Sequence, residues 1–446
     1  MTTIISLIKK LLRKSRAKKH TIESSHVIPR IHHRVSKTDI SVNALKVLNR
    51  LISSGYQAYL VGGSVRDLLL HKAPKDFDVA TNATPNQIRN LFRNARIIGR
   101  RFKLVHILFH REIIEVATFR GSQIIDENQQ VNDRGMLIRD NVYGTLEEDA
   151  WRRDFTINSL YYNIEDSSII DFTGGVTHIL DKSIHMIGDP TTRYQEDPVR
   201  MLRAIRFSAK LHFEIAPDTA KPLQQLSPLI THVSGSRLFE EMTKLYQCGE
   251  SESVQRLLVQ YDLFAHLFPL THQLMDSSYP VSAFLIIALE STDARIRENK
   301  TVTPAFIYAV ILWFPMLKRA EELKKEGIDP LPALDKAMSE VITQQNKIVT
   351  IPKRFTQVIR EIWLLQFRFP KRLGHRAFNI LEHPRFRAAY DFLALRALAA
   401  DESIELAQWW TKFQEASPSD QLEMVEALTK ETPHIPKRRR KPRVST

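Results

Sequence analysis

The stretch that most constrains this chain is Leu60-Val61-Gly62-Gly63-Ser64-Val65-Arg66-Asp67, followed shortly by Lys75-Asp76-Phe77-Asp78-Val79. Tyr59-Leu60-Val61 reads as a buried strand, and the residues through Leu68, Leu69 and Leu70 read as a helix. Two glycines at such a junction let backbone N–H groups approach an anion without Cβ obstruction, and the helix dipole favours negative charge there. Arg66, one turn in, is placed to reach a phosphate. Phe77-Asp78-Val79 reads as a second strand, so Asp76 and Asp78 project from one face while Phe77 and Val79 turn to the core. Two adjacent carboxylates repel each other and resist ionisation. A hard cation resolves that conflict, and Mg²⁺ favours one or two carboxylates plus substrate phosphate oxygens.

A third acid follows. Lys103–Phe109 and Ile113–Phe119 are β-rich runs joined through His110-Arg111-Glu112, and Glu115 lies on the second with Ile114 and Val116 facing the other way. If that strand neighbours the one bearing Asp78, Glu115 completes a metal cluster. His106, alone on its strand, reads as a core residue. Two Mg²⁺ ions (or Mn²⁺) held about 3.5–4 Å apart activate an attacking hydroxyl and stabilise a leaving pyrophosphate.

At 446 residues the chain exceeds one ordinary core. A net charge of +14, from 64 Lys+Arg against 50 Asp+Glu, favours a polyanionic partner, nucleic acid or an acidic membrane surface, without choosing between them. The single cysteine excludes an intramolecular disulfide or a cysteine-built zinc site and fits a reducing compartment. No apolar run approaches the roughly 20 residues of a membrane span. Residues 1–37 read as a basic extension and linker; Ile4, Ile5, Leu7, Ile8, Leu11 and Leu12 recur at helical spacing among lysines and arginines, a pattern suited to a peripheral membrane or RNA contact. Residues 38–188 read as an α/β head, a mixed sheet with flanking helices. An all-α neck (189–250), a helical body (251–430) and a disordered basic tail (431–446) follow. Within the body, Pro304–Phe314 reads as a buried helix ended or kinked by Pro315, and Ala388–Phe413 as one longer helical stretch. The polar stretch 122–148 reads as a long loop.

Taken with Arg152-Arg153-Asp154-Phe155-Thr156-Ile157-Asn158 and Glu196-Asp197-Pro198-Val199-Arg200-Met201-Leu202-Arg203-Ala204-Ile205-Arg206-Phe207, the glycine and aspartate motifs resemble, in order, the signature segments of class II nucleotidyltransferases, the superfamily of bacterial poly(A) polymerases and CCA-adding enzymes. The segment Ile97–His106 and the basic C-terminal tail resemble the bacterial poly(A) polymerase branch, and so do Ile351–Arg354 and Leu381–Arg387. The resemblance implies template-independent transfer of AMP from ATP to RNA 3′ ends on mRNA and small RNAs. It also implies a cytoplasmic enzyme of RNA turnover and mRNA processing, with RNA-degradation proteins as partners; a monomer is expected. It assigns Asp76, Asp78 and Asp154 to catalysis, Asp76, Asp78 and Glu115 to metal, and Gly62, Gly63, Ser64, Arg66, Arg152, Arg153, Asn158, Asp197 and Arg200 to the nucleotide.

Elementary chemistry supports the later roles. Asp197 and Arg200, three apart on a helix, are neighbours offering one acceptor and one donor. Adenine and cytosine present the matching polarity and uracil and guanine the reverse, so this pair selects A or C without separating them. Arg152 and Arg153 neutralise a triphosphate or contact the base, Asn158 fixes a loop or the ribose, and Arg203 and Arg206 orient Asp197 or are solvated. Met201, Leu202, Ile205 and Ala209 form the buried stripe of the same helix. For RNA, Lys353–Arg387 holds nine Lys/Arg against Glu361 and Glu382, so Lys353, Arg354, Lys371 and Arg372 are candidate phosphate contacts, while most of the interleaved aromatics read as core. Lys437, Arg438, Arg439 and Arg440 in the tail add sequence-independent affinity. Two other functions compete: CCA addition to tRNA, and RNA binding on an inactive transferase fold.

Overall fold

The computed structural model describes residues 26–99, 103–121 and 142–431, in two compact units that divide between His232 and Val233. The division falls inside the 189–250 segment read above as one neck. The N-terminal amphipathic pattern, Arg100-Arg101-Phe102, most of the polar stretch and the tail residues Lys437, Arg438, Arg439 and Arg440 lie outside the described residues.

The first unit is built on an eight-stranded mixed sheet ordered β1-β8-β7-β2-β3-β6-β5-β4. Its strands are β1 (His26–Ile28), β2 (Ala58–Val61), β3 (Asp78–Thr81), β4 (Ala95–Ile98), β5 (Leu104–Phe109), β6 (Glu112–Thr118), β7 (Leu160–Tyr162) and β8 (Ile169–Asp171). Residues 26–28 are therefore an edge strand rather than linker; three residues ending at Pro29 are too few to show an alternating pattern in the sequence. Neighbours run antiparallel except β3 and β6, which pair in parallel.

One face of this sheet is buried. Leu60, Val79, Val116 and Val105 oppose one another across β2, β3, β6 and β5, and all four are fully enclosed. Helix α1 (Val42–Ser53) covers this face through Ala44, Val47, Leu48 and Leu51, entered through the side-chain cap of Ser41. Farther along, α2 (Gly63–Leu69) follows the glycine turn, and α3 (Pro85–Leu91), opened by a Thr84–Gln87 capping box, packs on β4 and β5.

On the other face, Val61, Ala80, Phe119, Tyr161 and Ile170 pack under Ala150 of α4 (Leu146–Arg152). That helix occupies the end of the stretch read as loop; Thr145 and Glu148 form its capping box, a start signal embedded in polar sequence. A 3₁₀ turn at Thr156–Asn158 and α5 (Gly175–Leu180) complete the packing. A Cβ at Gly175 would collide with the Thr156 carbonyl, so glycine sets how closely α5 approaches that turn. Helices α6 (Pro190–Glu196) and α7 (Val199–Leu211) come next, and α7 buries Met201, Leu202, Ile205 and Ala209 as its spacing predicts. A small parallel pair, β9 (Ser183–Ile184) and β10 (Glu214–Ile215), brackets them.

The second unit is helical. Its core takes in the large aromatics: Trp363 donates to the Ala309 carbonyl at 3.0 Å and Trp410 to that of Phe369 at 3.1 Å. Pro315 does not end the buried helix. That helix runs Pro304–Ile311 and turns at Leu312, and Pro315 lies in the first turn of Trp313–Lys325, where no N–H is needed. The stretch 388–413 is two helices, Phe386–Leu398 and Ile404–Glu415, broken where Ala400 adopts φ +58°. No helix among the described residues is long and apolar enough to cross a membrane.

Gly175→Ala should cost about 1–3 kcal/mol, the usual range for overpacking. Denaturant unfolding measures this, and an unmoved midpoint would contradict the close packing at Thr156.

Candidate active site

Asp78 opens β3, and its Cα partner across the parallel pairing is Glu115 on β6. Phe77 and Val79 are buried while Asp76 and Asp78 are exposed, so both acids face the same open side. Although the residue as a whole is exposed, desolvation of its carboxyl against the sheet lifts the Asp78 pKa to about 6; Glu115 and Asp76 push the same way, and Arg153 opposes them.

Glu115 does not close a cage with the two aspartates. Its Oε2 lies 3.3 Å from His106 Nε2 on β5, so His106 is a polar neighbour of the acids rather than a core residue. Among the described residues no group of three or more His, Cys, Asp or Glu side chains is gathered closely enough to hold an ion. The three-carboxylate cluster expected from sequence is thus an open arc. That suits Mg²⁺, which takes few carboxylates and completes its octahedron with water and phosphate oxygens. The crowded acids, with Asp78 resisting ionisation, are the donor set that a hard dication relieves.

The glycine turn lies next to these acids. Gly62 has φ +75°, a conformation costly for any residue with a Cβ, and a Cβ built there would stand 3.4 Å from Arg153 Nη1 and 3.5 Å from the Asn158 carbonyl. Arg153 is held there by two residues the sequence reading missed. Its Nη2 donates to Asp149 at 3.0 Å, its Nε donates to the Tyr161 hydroxyl at 2.9 Å, and that hydroxyl donates to Asp149 at 2.7 Å. Burial works against the Arg153 charge, but Tyr161 and Asp149 outweigh it and hold the guanidinium above its ordinary value. The i,i+4 spacing of Asp149 and Arg153 was the available signal; Tyr161 gave none.

Several expected nucleotide contacts are turned inward. Gly63 starts α2 against the Arg66 guanidinium, and the buried Ser64 hydroxyl donates back to the Val61 carbonyl. Arg66 is only 4% exposed; it bonds Asp67 Oδ1 at 2.7 Å and Asn158 Oδ1 at 2.5 Å, so it braces the turn instead of reaching outward. Asn158 in turn donates to Asp154 at 3.2 Å, which makes it a loop-fixing residue. Asp154 is buried, yet Arg203 at 2.6 Å, the Phe155 N–H and Asn158 overcome that burial and hold its carboxyl below the ordinary value. Arg203 therefore orients Asp154. Arg66, Arg203 and Arg206 all lie 5.0–5.3 Å from the ring centre of Phe207. Arg152 is half-buried, and its carbonyl accepts from Arg193 at 2.7 Å.

Asp197 and Arg200 do not share a helix. Asp197 ends α6 with extended φ/ψ (−148°, 94°), because the following Pro198 disfavours helical backbone before it. Its Oδ1 accepts the Val199 N–H at 3.3 Å, and the Arg200 N–H bonds its carbonyl at 3.0 Å, so the two remain neighbours at the α6–α7 junction. Arg200 is tethered at 2.9 Å to Glu196 and at 2.7 Å to the Arg193 carbonyl.

In the second unit Lys353, Arg354 and Lys371 are exposed, and the guanidiniums of Arg354 and Arg372 stack over Phe355 and Trp409 at 4.8 and 5.1 Å. Trp363, Phe369 and Phe386 are core.

Three family models match the chain: the poly A polymerase head domain over residues 58–185, the probable RNA- and SrmB-binding site of polymerase A over 212–275, and the polymerase A arginine-rich C-terminus over 326–445. Poly(A) polymerase I of Escherichia coli O157:H7 is 49% identical over 94% of this chain and 91% of its own length. The Haemophilus influenzae Rd protein of the same name is 44% identical over 96% and 98%. The CCA-adding enzyme of Bacillus subtilis is 34% identical over only 57% of the chain and 62% of its own length. Among solved structures, Bacillus stearothermophilus CCA-adding enzyme in complex with CTP aligns over 87% of this chain and 80% of its own, at 26% identity and a TM-score of 0.53.

Because Asp78 titrates higher folded than unfolded, its ionisation weakens the metal-free fold as pH rises from about 4 through 6. Asp78→Asn should therefore melt above wild type at pH 7 in chelator, with the gap closing toward pH 4. A constant gap across that range would contradict the crowding.

Proposed function

The chain belongs to the poly(A) polymerase family and adds adenylate to RNA 3′ ends without a template, and we propose that Asp76, Asp78 and Glu115 form its reaction centre, with ATP as donor. The observation that carries the reading is the register of β3 against β6, which sets Asp78 opposite Glu115 beside the Gly62 turn and Arg153.

In the reaction the RNA 3′ oxygen loses its proton and bonds the α-phosphorus of ATP, while the bond to the β-phosphate oxygen breaks and pyrophosphate leaves. Asp76, Asp78 and Glu115 would hold divalent cations, which supply charge neutralisation to the attacking and leaving oxygens. Arg153, kept charged by Asp149 and Tyr161, meets the triphosphate where Gly62 leaves room. Asp197 and Arg200 read the base edge, with Arg200 aimed by Glu196. Asp154 acts through Asn158 and Arg203 and holds the 154–158 turn against α2 and α7. The exposed cations Lys353, Arg354 and Lys371 track RNA phosphate, aided by the tail residues Lys437–Arg440. The physiological reading is RNA turnover and mRNA processing on mRNA and small RNAs in a cytoplasmic setting, with the protein a monomer and RNA-degradation proteins as partners.

With Mg²⁺ and ATP alone, unstructured RNA should grow long tails. Growth limited to CTP followed by ATP on end-trimmed tRNA would instead mark a CCA-adding enzyme. Asp78→Asn should abolish extension and leave RNA affinity nearly unchanged, whereas tailing at a comparable rate would refute the metal assignment. Tyr161→Phe removes one charge-assisted bond to Arg153 and should lower kcat/KM for ATP about tenfold; an unaltered value would separate Arg153 from the triphosphate. Removing Pro436–Thr446 should flatten the salt dependence of RNA binding, which titrations at several ionic strengths will report.

A further inference from the structure

The residue row that carries Asp78 and Glu115 continues to the edge of the sheet. Glu115 opposes His106 on β5, and His106 opposes Arg96 on the edge strand β4. Directly opposed residues share a face, so Asp78, Glu115, His106 and Arg96 form one transverse polar row. Aliphatic rows flank it: Ile98 opposite Leu104 on one side, Leu108 opposite Ile113 on the other. The reverse face of these strands is buried under α1 and α3, but here Ile98 is 43% and Ile113 51% exposed, and Arg96 is open to solvent. Among the described residues this leaves an apolar area crossed by a polar row that runs from carboxylates to a cation, a pattern that marks a contact surface.

We propose that this solvent-exposed end of the sheet is the platform for the 3′-terminal nucleotides of the RNA being extended. The proposal rests on the reading of Asp78 and Glu115 as the reaction centre, since the acceptor hydroxyl must arrive there and the row leads directly to it. Three strand spacings put Arg96 roughly 14 Å from Asp78, a span suited to the terminal nucleotides of one strand. Charge falls the right way along it, from carboxylates at the reacting end to Arg96 at the far end, where the RNA backbone still needs a cation. Aliphatic side chains on both flanks give base faces apolar surface without reading their edges, which suits addition without a template. His106 joins the two parts: its ring sits beside Glu115 and extends the platform toward Arg96.

The full-length protein is crosslinked to RNA ending in 4-thiouridine, and the attached peptides are mapped. Crosslinks on β4–β6, together with an RNA KM raised about tenfold by Arg96→Glu and by Ile98→Ser/Ile113→Ser, are expected, with the KM for ATP unmoved. These side chains are exposed, and matching melting temperatures would show that the variants fold. Crosslinks confined to other segments, or an unchanged RNA KM, would overturn the platform. A change of oligomeric state in Ile98→Ser/Ile113→Ser with RNA KM intact would assign the face to a second copy and equally overturn it. Asp78→Asn run in parallel separates the two readings: retained tailing there would sink the reaction centre itself, while its loss beside unaffected platform variants would sink only the platform.

Discussion

The head depends on a conflict between burial and charge at one strand pair. Leu60, Val79, Val116 and Val105 lock β2, β3, β6 and β5 in register because sliding by one residue would turn that apolar row to solvent. The same register leaves no freedom to the opposite face, where Asp78 must stand against Glu115. Hydrophobic burial thus enforces an electrostatic arrangement that the carboxylates alone would avoid, and desolvation first, then Glu115, leave Asp78 with a raised pKa.

The cations of the head are held in place, each by distinct partners. Arg153 answers to Asp149 and Tyr161, Arg200 to Glu196 and the Arg193 carbonyl, and Arg66 to Asp67 and Asn158. Side chains already fixed by hydrogen bonds lose little conformational freedom when a polyanion arrives. On the proposed reading, Arg153 and Arg200 are preorganised for developing charge, while Arg66 braces the glycine turn.

What could be read from sequence was what periodicity and local chemistry encode. The alternation Phe77-Asp78-Val79 and Ile114-Glu115-Val116, the glycine turn and the buried stripe of α7 all have a period or a backbone requirement. The three-residue strand β1 is too short to carry a period, and it pairs with β8, far away in sequence. The helix break at Asp197 was written in Pro198, yet spacing alone suggested a continuous face. Arg66 and Asn158 looked like ligand contacts because their motif is polar; that they bond each other depends on a contact across 92 positions, which local reading does not reach. Tyr161 resembles any β-strand aromatic until the Arg153 guanidinium is placed beside its hydroxyl.

Phe207 gathers three guanidiniums from two helices around one ring, although its own side chain is almost wholly enclosed. The ring's negative faces soften repulsion among cations that would otherwise spread apart. A purely apolar residue therefore takes part in arranging three charges, and sequence change at this position would disturb packing and electrostatics together. In such a place the boundary between packing and electrostatics runs through a single benzene ring.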